Sequence, residues 1–207
     1  NFFYINNILH YRISDKESLG FDFLKGRLFN RLNRIEHESL IKKAIGKNKA
    51  KLKIFDATAG SLIDTIIFLK LGHKVVACEQ SKILIKLLKD AIERAKEEYS
   101  FFKNLVLINE DAANVIELHQ DSDIFYFDPM FNNTKRNIKR SGTLNKISNI
   151  LSHEKLEDTS EDIFKYMQTS NYKKIIVKRP IKSKPLQEKI NYQVKGKAIR
   201  FDIYVKN

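Results

Sequence analysis

The stretch LKIFDATAGSLID, residues 52–64, sets the reading of the whole chain: an apolar run, an Asp, a turn of small residues, then the start of an amphipathic run. Residues 51–55 carry the side chains of a buried strand, and Ile63, Ile66, Ile67, Leu69 and Leu71 recur at helical spacing. A strand feeding a helix through such a turn is expected to place free backbone N–H groups and the positive helix end beside a crevice, where a ligand's polar groups are met. Ala57, Ala59 and Gly60 let the backbone come close to that ligand. The same residues are also compatible with a plain helix cap by Asp56 or Thr58, because one glycine falls short of a dinucleotide fingerprint. The chain downstream has to decide.

Downstream, HKVVACE (73–79) reads as a second strand ending in an acid. Ser81 then caps a long helix to about residue 99, with Ile83, Leu84, Leu87, Leu88 and Ile92 on one face. Residues 105–108 form a third strand, followed by Asp111 and a short helix over 112–118. A fourth strand, 124–127, runs directly into Asp128-Pro129-Met130-Phe131. A basic polar stretch over 132–146, a helix over 159–169 and a fifth strand over 174–178 complete the series. Alternating strands and helices of these lengths predict a mostly parallel sheet with right-handed crossovers, a Rossmann-like α/β fold. Two strand-like runs, 192–194 and 199–205, flank Lys195-Gly196-Lys197 and predict a closing antiparallel hairpin.

Upstream, residues 1–46 read as a small β/α appendage to a main domain over 47–207. Alternation over 19–24 suggests a short strand or hairpin, and a basic stretch with Arg27, Arg31 and Arg34 follows. A helix over 36–45, closed by Gly46, leads into a linker over 47–51.

With 207 residues and 43% hydrophobic content, the chain suffices for one sizeable domain and an appendage. No apolar run approaches the roughly 20 residues that span a bilayer, and no signal peptide opens the chain. The one cysteine, Cys78, cannot form an internal disulfide and sits in an apolar run. A soluble, cytoplasmic protein without a membrane partner is expected; the oligomeric state is left open. The net charge of +13 favours a polyanionic partner, although a generally lysine-rich surface would produce it too. His10, His37, His73, His119 and His153 are scattered without ligand spacing, so no metal is expected.

The predicted strand ends supply Asp56, Glu79, Asp111 and Asp128, a row of carboxylates along the rim where open α/β sheets bind ligands. Glu79 can accept both hydroxyls of a ribose, unless it is an ordinary surface acid; Asp111 can equally cap the helix after it. Asp128 to Phe131 is the sharper signal. Methyl transfer to an exocyclic amine must position a nitrogen whose lone pair is delocalised into the base and stabilise growing positive charge. Asp128 can accept from that N–H while Phe131 stacks on the base; the plainer alternative is a strand stopped by Pro with a Phe in the core. The cluster Lys135, Arg136, Lys139 and Arg140 after this motif, and Lys178 and Arg179 after the fifth strand, with Lys182 and Lys184 beyond, flank the same rim and suit RNA phosphates.

DATAG (56–60) with Asp64, YFDPMF (126–131), IIVKRP (175–180) and GKAIRFDIY (196–204) together resemble the RsmJ (YhiQ) family of small-subunit ribosomal RNA guanine-N2 methyltransferases, in order from about Leu19 onward. The resemblance implies a class I methyltransferase fold, S-adenosylmethionine as donor with S-adenosylhomocysteine as product, and a guanine of 16S rRNA, free or in the small ribosomal subunit, as acceptor. It implies cofactor contacts at Ile63 and Asp64, Glu79 and Gln80, Asp111 and Ala112, and Asp128. On the reading of the strand-turn-helix itself, Asp56, Ala57 and Gly60 join them. The chain departs from the family where relatives carry a glycine and an arginine, here Leu62 and Ile63; where a basic residue follows the acid, here Gln80; and at Asn33-Arg34-Ile35-Glu36, in place of a glycine-rich basic segment. Two other readings stay open: an N-methyltransferase acting on DNA or protein, and an rRNA-binding relative without catalysis.

Overall fold

In the computed structural model, which describes residues 1–46, 50–129 and 142–206, the chain opens with an antiparallel sheet of three strands: β1 (Phe2–Ile5), β2 (Ile8–Ser14) and β3 (Glu17–Leu19). Asn6 and Asn7 turn β1 into β2 with φ of 49° and 63°, the left-handed pair that a two-residue hairpin requires and that Asn tolerates. The hairpin therefore lies earlier than the alternation over 19–24 suggests. Beyond Leu19 the alternating Phe21 and Phe23 are buried without a partner strand, Phe23 stacking on Phe102. Helices α1 (Gly26–Leu32) and α2 (Ser39–Ile45) follow; the expected helix over 36–45 begins only at Ser39, after a 3₁₀ turn at Ile35–His37.

The main sheet has seven strands. In chain order its elements are β4 (Lys53–Asp56), α3 (Ile63–Lys70), β5 (Lys74–Cys78), α4 (Lys82–Ala95), β6 (Leu105–Ile108), α5 (Ala112–Val115), β7 (Ile124–Phe127), α6 (Gly142–His153), α7 (Ser160–Thr169), β8 (Lys174–Pro180), β9 (Tyr192–Lys195) and β10 (Ile199–Val205). They lie side by side as β6-β5-β4-β7-β8-β10-β9. The first five are parallel, and β10 runs antiparallel to both β8 and β9, as the sequence predicts.

Alternation along the strands divides the interior into two cores. Ile54, Val75, Ala77, Tyr126 and Ile176 face one side, with α3, α4 and the N-terminal sheet. Phe55, Val76, Cys78, Phe125, Phe127 and Val177 face the other, with α5 and α7. Leu9, Tyr11, Leu19, Phe21 and Phe23 belong to the first core, so residues 1–46 and the body share one apolar interior. Ser81 caps α4 as expected, its hydroxyl accepting from Leu84 N–H at 3.0 Å.

The GKAIRFDIY segment closes the sheet through a buried ion pair. Arg200 Nε lies 2.8 Å from Asp202 Oδ1, their side chains 4% and 0% exposed, and Arg200 Nη1 donates to the carbonyls of Pro180 and Ile181 at 2.9 and 2.8 Å. This pair locks β10 to the end of β8, so the distinctive Arg and Asp of that segment help hold the sheet together.

Candidate active site

Chain order reverses between β4 and β7: from β4 the sheet grows one way through β5 and β6, and the other way through β7 and β8. Such a switch point opens a crevice at the carboxyl ends of the strands. The 57–60 loop sits in it, and its backbone is tied down by the body. Ala57 N–H donates to the Tyr126 carbonyl at 3.0 Å and Ala59 N–H to the Cys78 carbonyl at 2.9 Å. Thr58 N–H reaches Asp56 Oδ1 and Gly60 N–H reaches Glu79 Oε2, both at 3.0 Å, while Asp128 N–H donates to Thr58 Oγ1 at 2.7 Å. This corrects the expectation of free N–H groups for residues 57–60, whose donors are engaged internally and make the loop a preformed wall.

Leu62 closes the loop with φ of 60° while its side chain is fully buried. The chain thus keeps, with a leucine, the left-handed backbone that a glycine adopts most easily.

The crevice widens into a cavity of about 810 Å³ lined by Asp56, Ala57, Gly60, Ile63, Asp64, Glu79, Gln80, Asp111, Ala112 and Asp128, so the structure brings every residue expected to meet the cofactor to one space. Glu79 is nearly fully buried, its oxygens accepting from Gly60 and Ser81 N–H. Burial pushes its carboxyl up to about 7 against those two bonds, and does the same to Asp56, which accepts from Thr58 N–H and Thr65 Oγ1. Asp111 caps α5 through Ala113 N–H at 2.9 Å and also lines the cavity, so both readings of it apply. Asn109, which the sequence did not single out, steadies this rim by donating to the Glu79 and Gln80 carbonyls at 2.9 and 3.1 Å.

On the β7–β8 side the floor is a charged network. Tyr126 Oη donates to Asp64 Oδ2 at 2.6 Å, and Lys178 Nζ lies 2.6 Å from the same oxygen and 2.8 Å from Asp128 Oδ2. Burial alone would raise the Asp64 carboxyl, but the Lys178 charge and hydrogen bond, with the Tyr126 hydroxyl, hold it below its ordinary value. Asp128 is raised, chiefly by burial and then by Asp64, with Lys178 opposing. Lys178 itself is held well above its usual value: burial works against its charge, and the two carboxylates outweigh that.

These positions differ from the expectation of a phosphate-facing pair after the fifth strand. Lys178 points inward to the cavity floor, and Arg179, on the opposite face of β8, is buried and donates to the Lys184 carbonyl. Lys182 and Lys184 remain exposed. Phe131, Lys135, Arg136, Lys139 and Arg140 lie outside the described residues.

Two parts of the site escaped the sequence reading. Arg27, Leu28 and Arg31 of α1 line the cavity, Arg31 held by a two-pronged pair to Glu38 at 2.6 and 2.8 Å. Leu144, Ile147 and Leu151 of α6 line it as well, and their spacing of three and four was the available signal, straddling the end of the 132–146 stretch read as basic and polar. Glu154, just past α6, anchors that helix by accepting from Ser81 Oγ and from Ile83 N–H at 3.2 Å.

Comparison with known proteins bears on this cavity. The family model for SAM-dependent methyltransferases matches residues 6–206. The chain is 33% identical over 203 residues to ribosomal RNA small subunit methyltransferase J of Francisella tularensis subsp. novicida, covering 95% of this chain and 82% of that protein. The Francisella philomiragia protein of the same name is 33% identical over 206 residues, with 96% and 85% covered. Among solved structures, a SAM-dependent methyltransferase from Neisseria gonorrhoeae superposes with a TM-score of 0.67 at 26% identity, covering 96% of this chain and 79% of that one. The T. thermophilus 16S rRNA methyltransferase RsmC shares the fold at a TM-score of 0.55 and 14% identity, covering 97% and 47%.

Proposed function

The chain belongs to the ribosomal RNA small subunit methyltransferase J family of SAM-dependent methyltransferases, and from that premise we propose that it methylates the exocyclic N2 of a guanine in 16S ribosomal RNA. The observation that carries this reading is the single cavity in which the acids at the ends of β4, β5 and β6 meet Asp128-Pro129 at the end of β7. An acidic rim inside a chain of net charge +13 suits a cationic small molecule held beside a polyanion.

S-adenosylmethionine fits the donor set. Glu79 can take the ribose hydroxyls on lone pairs that Gly60 and Ser81 leave open, Asp111 is proposed to meet the adenine, and the 56–64 wall with Asp64 would hold the amino acid end. When bound, the cofactor supplies a methyl group on a sulfonium, a leaving group that departs with the C–S electron pair.

The protein's own contribution is position and charge. Asp128 Oδ2 is held by Lys178, and Oδ1 accepts from no described residue; that oxygen is placed to accept the amine N–H and to take its proton as N2 becomes cationic. Pro129 is buried and stiffens the chain after Asp128, and Phe131 is proposed to stack on the base. Lys135, Arg136, Lys139 and Arg140 are proposed to meet flanking phosphates, with residues 1–46 as the appendage beside a catalytic domain over 47–207. A target base inside a helix would have to be swung out of its stack.

The test is methyl transfer from tritiated S-adenosylmethionine to free 16S rRNA, to small subunits, to duplex DNA and to protein, with the RNA digested to nucleosides. Label in N2-methylguanosine from either RNA substrate is expected. Label confined to DNA, to protein or to another nucleoside refutes the assignment. Asp128→Ala should lower kcat about 10²- to 10³-fold while the protein remains folded.

A further inference from the structure

A lysine on a buried sheet face is costly unless its charge is matched. Lys178 shares its face of β8 with Ile176, among Tyr126 and Phe201, and its side chain is 22% exposed. What matches it is unusual in position. One carboxylate, Asp64, belongs to the first turn of α3 on the cofactor side of the cavity; the other, Asp128, follows β7 on the acceptor side. A single ammonium therefore bridges the two halves of the site, and the Tyr126 hydroxyl fixes the far anchor by donating to the same Asp64 oxygen.

We propose that Lys178 is a positioning residue for methyl transfer: it holds Asp128 by Oδ2, leaves Oδ1 turned to the acceptor amine, and ties that orientation to Asp64 on the cofactor side. This rests on the reading of Asp128 as the group that receives the amine. The two ammonium contacts, at 2.6 and 2.8 Å, commit two of the three Lys178 donors to these carboxylates.

Among the described residues, the charged and titratable groups facing Asp128 are Asp56 from β4, Asp64 from α3, Tyr126 from β7 and Lys178 from β8, with Arg31 of α1 acting on Asp64. Two of these five are carboxylic acids. Among the described residues Lys178 is the cation that lies against Asp128, and its charge opposes the rise that burial and Asp64 impose on that carboxyl. Without it, Asp64 and Asp128 become like charges sharing a site, and one of them takes up a proton.

The experiment compares wild type, Lys178→Met and Lys178→Arg. Aspartate carboxyl carbons are labelled with carbon-13, Asp128 is assigned with an Asp128→Asn sample, and its titration is followed by NMR alongside the pH profile of kcat and the calorimetric affinity for S-adenosylmethionine. In Lys178→Met, the Asp128 titration and the acid limb of kcat should both move up by about one pH unit or more, with kcat at neutral pH reduced about 100-fold. Lys178→Arg, which keeps the charge, should return the limb toward wild type. Should the Met variant not fold, Lys178→Gln carries the same expected shift. An Asp128 titration unmoved by loss of the ammonium, or a loss of kcat equal at every pH, overturns the proposal. If wild type modifies no guanine while the Asp128 titration still shifts, the functional reading fails and the Lys178 tie to Asp128 stands.

Discussion

Leu62 offers a sharp test of how this chain builds its cofactor-side wall. The residue sits at φ 60° and ψ 11°, donates its N–H to the Ala59 carbonyl at 2.7 Å, and accepts at its carbonyl from Ile66 N–H in the first turn of α3. Its side chain is fully buried in the core beneath α3. Two terms of opposite sign therefore act at one position. A left-handed backbone disfavours any residue with a Cβ by about 1–2 kcal/mol, whereas burial of the leucine side chain is lost on truncation, at about 2–5 kcal/mol for Leu→Ala. Leu62→Ala should incur the full packing loss and keep the backbone strain. Leu62→Gly should incur a similar packing loss but relieve the strain, offset by the about 0.5–1 kcal/mol by which glycine's flexible unfolded chain is disfavoured.

The expected order is wild type, then Gly, then Ala, with Gly above Ala by about 0.5–1 kcal/mol, the reverse of their usual rank in helices. Urea unfolding followed by circular dichroism resolves this. With m near about 2–3 kcal/mol/M, the two midpoints should differ by about 0.3 M. An alanine variant as stable as the glycine variant, or more so, refutes the claim that Leu62 is held in a left-handed conformation against its preference. A glycine variant more stable than wild type refutes the packing half instead.

Other outcomes follow from the buried charges. Burial raises the Glu79 carboxyl from 4.5 to about 7, so the folded state keeps a proton that the unfolded chain gives up. Stability from this group is full below pH 4.5 and is lost as pH rises through about 7, so Glu79→Gln should be less destabilising at pH 8 than at pH 5 in urea titrations. Ribose hydroxyls favour the ionised carboxylate, so cofactor binding near neutral pH should release protons, read by calorimetry in buffers of different ionisation enthalpy, and Glu79→Gln should reduce that release. Asp202→Ala leaves the Arg200 guanidinium buried without its carboxylate and should reduce stability by about 3–5 kcal/mol, seen as a lowered urea midpoint, while folded protein keeps its cofactor affinity.

How much of this was legible depended on how local each feature is. The parallel strands and the acids at their ends could be read directly, because β4, β5, β6 and β7 are each short runs of consecutive apolar residues that stop at a polar one. Ser81 as a cap and the closing hairpin around Gly196 were legible for the same reason. Helix α1 was not, because it is seven residues long and the signal of Leu28 and Leu32 is thin beside Arg27 and Arg31. The hairpin near the start was assigned to 19–24 because Phe21 and Phe23 alternate like a strand; the stacking of Phe23 on Phe102 is a contact about eighty residues away that no window of sequence contains.

The amino-acid sequence by itself determined the α/β alternation, the row of strand-end carboxylates at Asp56, Glu79, Asp111 and Asp128, and the family to which the chain belongs. Periodicity and end residues are local properties, so they survive in one dimension. The tertiary structure alone decided that the 57–60 backbone donors are engaged by Tyr126, Cys78 and Glu79, that Lys178 turns inward to bridge Asp64 and Asp128 while Arg179 turns away, and that α1 and α6 close the cavity. These outcomes hang on strand order and register, which bring residues 64, 126, 128 and 178 to one switch point. The face a side chain takes is set by its neighbours in space, and those neighbours exist only once the sheet has formed.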